Sequence, residues 1–100
     1  MVINKRIAIE IINETTSNSA VCIVRCLEGT VSPGDVFDAA RSADGQFHEI
    51  SLRVTGIWRN EKKPTDLLDP PHIAKLALSG SGAPALPGFT HLISMKPYHD

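Results

Sequence analysis

The chain has 100 residues, 42% of them apolar and 21% charged, with a formal net charge of −1. That describes one ordinary globular domain, neither disordered nor in need of staples. Near-neutral charge argues against a generic nucleic-acid binder, which draws its affinity from a positive excess, so DNA is not an expected partner.

The N-terminal stretch Met1 to Arg6 lacks a charged-then-apolar signal pattern, and the apolar runs are too short to span a bilayer. The expected compartment is the cytoplasm, with no membrane partner. In KRIAIEII, residues Ile7, Ile9 and Ile11 alternate onto one face, as in a half-buried strand. Asn13 to Ser19 is a polar connection. Ala20 to Leu27 is apolar on both faces apart from Arg25, which predicts a strand covered on both sides.

Cys22 and Cys26 fall in that strand. At a strand's rise they stand ~13 Å apart, beyond the ~7 Å Cα separation that a disulfide bridges. Both are expected reduced, as small core residues.

Gly29, Pro33, Gly34 and Asp35 punctuate the next stretch. Val36 to Ala40 is a short strand, and Ser42-Ala43-Asp44-Gly45 a hairpin turn. Glu49 to Trp58 is a long strand, with Ile50, Leu52, Val54 and Trp58 on one face. Asn60 to Pro71 is a polar, proline-rich interlude with a helical turn predicted over Thr65 to Leu68. Ala74, Leu76 and Leu78 mark another alternating strand within Ile73 to Gly80. Ser79 to Gly88 reads as a Gly/Pro-rich loop, and Phe89 to Met95 as the last strand. The fold class is all-β: one domain over residues 1–100, a small closed or nearly closed antiparallel barrel of about six or seven strands.

The ordered set Gly29 to Asp35 (GTVSPGD), Trp58-Arg59, Ile73 to Gly80 (IAKLALSG) and Pro87-Gly88-Phe89 resembles the second domain of elongation factor Tu and its relatives, the translation-protein β-barrel. The resemblance spans residues 5 to 95 and implies a stand-alone version of that barrel. It departs from the family at two places. Gly56 stands where an acidic residue helps form the pocket for the terminal adenosine of aminoacyl-tRNA. Asp69-Pro70-Pro71 replaces a small-Gly-acid turn. There is no G-x4-G-K-[ST] loop to hold a nucleotide. What carries over is the barrel and a partner surface near its long loop.

Candidate chemistry is sparse. The histidines at 48, 72, 91 and 99 have no ligand-like spacing, although His72 and His91 approach one another if both lie on late strands. Cys26, a histidine and Asp35 form a conceivable nucleophile set that nothing in the sequence gathers. Ser79 to Gly82 offers backbone N–H groups for an anion, or is simply a flexible loop. No catalytic residue, cofactor or metal is expected. Trp58, beside Arg59, Lys62 and Lys63 and downstream of Arg53, serves either the core or a contact, by stacking on a base or anchoring a protein. The expected function is a non-enzymatic protein-interaction or regulatory module. The alternative is a weak binder of RNA ends, such as the tRNA acceptor, through Arg53, Trp58, Arg59 and Lys63.

Overall fold

The computed structural model describes residues 3–60 and 63–95, with the Asn60 side chain excepted. Its strands are β1 (Lys5–Thr15), β2 (Ser19–Glu28), β3 (Val36–Ser42), β4 (Phe47–Asn60), β5 (Lys63–Pro64), β6 (Ile73–Ser79) and β7 (Phe89–Ser94). All pairings are antiparallel. The order β3-β7-β1-β2-β6-β4 closes on itself through β3–β4, and β5 extends β4. This is a closed six-stranded barrel with one added strand. Closure pairs the two strands that would otherwise end the sheet. Among the described residues no helix is long and apolar enough to cross a membrane.

Strict period-2 patterning fills the interior. Ala20, Cys22 and Val24 of β2 face Leu78, Leu76 and Ala74 of β6, and Cys26 faces Ile7 of β1, all buried. Phe37, Leu52 and Leu92 complete the centre. Each large side chain fully buried here contributes roughly 1.5–3 kcal/mol. Both cysteines are free and buried.

The Gly29–Asp35 segment behaves as a barrel turn. Pro33 and Gly34 occupy the corner of a β-turn in which Asp35 N–H donates to Ser32 O at 3.1 Å. Gly34 has φ +96°, the left-handed region a type II turn demands at that place. The Asp35 carboxylate accepts from Ser32 N–H at 2.7 Å and pairs with Lys5, tying the turn to β1. The 42–45 hairpin turn also forms, closed by Ser42 N–H on Gln46 O.

Bulges in β1 and β4 overturn the faces that alternation predicts. In β1 the pairing steps from Ile9↔Val24 to Ile11↔Ile23, so Glu10 is an extra residue. The bulge reverses the faces beyond it. Ile12 packs on the core and Ile11 is 58% exposed, which corrects the reading that Ile7, Ile9 and Ile11 share one buried face. In β4 the pairing steps from Val54↔Leu78 to Gly56↔Ala77. Val54 and Ile57 therefore both point inward, and Trp58 goes to the outer face, half-buried. The expectation of a core Trp58 beside Ile50, Leu52 and Val54 is corrected accordingly.

Two other expectations change. Thr65 to Leu68 forms no helical turn. Leu68 instead pairs with Val31 through reciprocal backbone bonds of 2.8 and 2.9 Å, and both side chains are fully buried. Ser79 to Gly88 is not merely a loop, because Ala83–Gly88 is a 3₁₀ helix that sinks Ala83 and Leu86 into the barrel against β1 and β2. Proline at the start of such a helix costs no hydrogen bond, which is why Pro84 is tolerated there.

Candidate binding groove

The outer surface of β1, β2, β6 and β4 carries a row of facing residues. Ile11 pairs with Ile23, Ile23 with Lys75, and Lys75 with Trp58. Ile73, opposite Arg25, flanks the row and is 42% exposed. The apolar second face of β2 is thus not covered by another layer, as its composition suggests it should be. Val21, Ile23 and Leu27 are only half-buried. Residues Asn13, Ile23, Trp58, Arg59, Ile73, Ala74 and Lys75 enclose a groove of about 240 Å³.

Trp58 holds its position through its neighbours. The six-membered part of the indole lies over Gly56, where an added Cβ would stand 2.5 Å from Cη2 and 2.9 Å from Cζ3. Only glycine lets the ring lie down on the strand in that way. Lys75 Nζ sits over the ring, 5.7 Å from its centroid, in cation–π contact. Gly56 therefore seats the tryptophan.

The residues singled out from the sequence separate into three groups. Trp58 and Arg59 line the groove. Lys63 is exposed on β5, next to Pro64, which pairs with Trp58. Arg53 lies elsewhere, opposite Val36 and Ser79, and its Nη1 donates to Gly34 O at 3.3 Å. Lys62 lies outside the described residues. The Gly80–Gly88 segment lines a different depression with His48 to Ser51 and shares no residue with the groove. Sequence reasoning missed Asn13, Ile23, Ile73 and Lys75. The available signal was the second apolar face of β2.

The other candidates come apart. His72 precedes β6, with its Nδ1 3.3 Å from an Asp69 carboxylate oxygen, whereas His91 is on β7 between Ala8 and Arg41. β6 and β7 are not neighbours in the barrel, so the two histidines do not meet. His99 lies outside the described residues, and among the described residues no three metal-ligating side chains cluster. Cys26 donates its backbone N–H to His72 O, but its thiol points inward, 3.2 Å from Gly29 O. Burial raises the Cys26 pKa, and Asp69 raises it further. An activated nucleophile needs the opposite shift. Burial pushes the Cys22 thiol up to about 12.

In comparisons with known proteins, no family model matches the chain. No curated protein and no solved structure matches it either.

Proposed function

We propose that this chain is a non-enzymatic binding module, similar to the second domain of elongation factor Tu, which grips a protein partner through the Trp58 groove. One observation carries the reading: the row Ile11–Ile23–Lys75–Trp58 leaves two isoleucines and the sole tryptophan on an uncovered sheet face. Contiguous apolar surface rimmed by polar residues marks interaction sites, and tryptophan is enriched among the residues that dominate binding. The groove, at about 240 Å³, is smaller than the ~300–1,000 Å³ of typical cofactor or drug-sized pockets. It suits a side chain of a partner rather than a whole cofactor. The free thiols of Cys22 and Cys26 fit a reducing, cytoplasmic setting.

The test is capture of partners from native cytoplasm with tagged wild type and Trp58→Ala, at low and moderate salt. A stoichiometric protein that survives moderate salt and is lost with Trp58→Ala is the expected result. Equal capture by both forms refutes the groove as the site. Recovery of RNA alone, falling with salt and with Arg59→Ala, favours the RNA-end reading instead.

A further inference from the structure

The groove combines apolar and cationic lining. Ile23, Ile73 and Trp58 supply apolar surface, and Arg59 and Lys75 supply two cations. Among the described residues neither cation makes an ion pair with a carboxylate, whereas nearby Arg25 is paired with Glu10 at 3.6 Å. Asn13 adds one neutral amide. The occupant that matches this lining has a large apolar side chain with carboxylates close on either side.

Three occupants compete for that description. A second copy docking through the same face across a two-fold axis would bring a second Arg59 and a second Lys75 into the same interface, because a two-fold interface uses one patch on both subunits. Like charges brought together in that way oppose association. A nucleic-acid base needs an open aromatic face to stack on. The Trp58 ring is already packed over Gly56, with the Lys75 ammonium over it. A phosphate backbone needs a longer basic track than two side chains on a chain of net charge −1. An acidic protein segment fits without any of these conflicts.

We propose that the groove recognises an acidic segment of a partner protein, seating one large apolar side chain between Ile23, Ile73 and Trp58 while flanking Asp or Glu carboxylates meet Arg59 and Lys75. This rests on the binding-module reading above and adds the partner's chemistry to it. The apolar anchor supplies most of the affinity, and the two cations set which segments are accepted.

The test is selection from a library of random displayed peptides on the immobilised protein, with wild type and Arg59→Glu/Lys75→Glu run in parallel. Arg59 is exposed and Lys75 is opposite Trp58 on the outer face, and far-UV circular dichroism verifies the fold. Wild type should enrich peptides with a Leu, Ile, Phe or Trp flanked by Asp or Glu. Those peptides should shift the emission of Trp58 and bind the double variant at least about tenfold more weakly. The double variant should enrich Lys- or Arg-flanked anchors instead. Enrichment of peptides without an acidic excess overturns the proposal, as does equal binding to both proteins or no enrichment at all. The two readings fail separately. A cytoplasmic partner lost with Trp58→Ala but indifferent to Arg59→Glu/Lys75→Glu removes the acidic chemistry and leaves the binding module standing.

Discussion

Replacing Gly56 by alanine should change the groove while barely touching stability. The added Cβ would stand 2.5 Å from Trp58 Cη2, 2.9 Å from Cζ3 and 3.2 Å from Cζ2. Carbon atoms rest at ~3.5–4.0 Å, so the ring must lift by about 1 Å. Lifting it re-wets a strip on the order of 40 Å², which costs about 1 kcal/mol at ~25 cal/mol per Å². Alanine in place of a strand-interior glycine returns about 0.5–1 kcal/mol through the unfolded chain. Gly56 is not among the glycines with positive φ, so alanine is not strained there. The two effects nearly cancel, and urea denaturation should show a change below about 0.5 kcal/mol. Fluorescence should show much more. Trp58 is the only tryptophan, so a red-shifted emission and faster acrylamide quenching report its lift directly. Partner capture should fall with it. Unchanged emission and quenching in a folded variant would falsify the claim that Gly56 seats the indole.

Other perturbations reach the barrel itself. Phe37→Ala empties the centre of the core, where Phe37 is fully buried, and should cost about 3–5 kcal/mol by urea denaturation. A loss below about 1 kcal/mol contradicts the packing described. His91 has its pKa lowered from 6.5, first by burial and then by Arg6 and Arg41. Its folded pKa thus lies below its unfolded one, so the unfolded chain binds the proton first and stability is lost as pH falls from about 6.5. Urea midpoints taken from neutral to acidic pH should decline there, and His91→Gln should flatten the decline; an identical slope in the variant rejects this. Cys22 is buried with a thiol pKa of about 12, so iodoacetamide at mildly alkaline pH should leave it unmodified until urea unfolds the chain. Mass spectrometry that finds Cys22 alkylated in the native protein contradicts its burial.

The barrel was legible because its signals are local. Ala20, Cys22, Val24 and Cys26 keep one period, Ala74, Leu76 and Leu78 keep the same one, and Gly34 and Gly45 mark turns that need positive φ. The bulges at Glu10 and near Gly56 were not legible. A single extra residue leaves no compositional trace, yet it reverses every side chain beyond it. That is why alternation alone puts Ile11 and Trp58 on the wrong face. The Leu68–Val31 pairing joins segments far apart in sequence, and this tertiary contact overrode the local helix signal of Thr65 to Leu68. The groove was half legible. Trp58 and Arg59 are adjacent in the chain, whereas Ile23, Ile73 and Lys75 come from two other strands and meet them only through the β2–β6–β4 register.

The central proposal is that the uncovered face around Trp58 holds a protein partner. The most direct measurement is paired capture from native cell extract at moderate salt, with wild type and a folded Trp58→Ala variant. The account predicts one stoichiometric protein with wild type and its loss with the variant. The same protein recovered equally with both forms would contradict it.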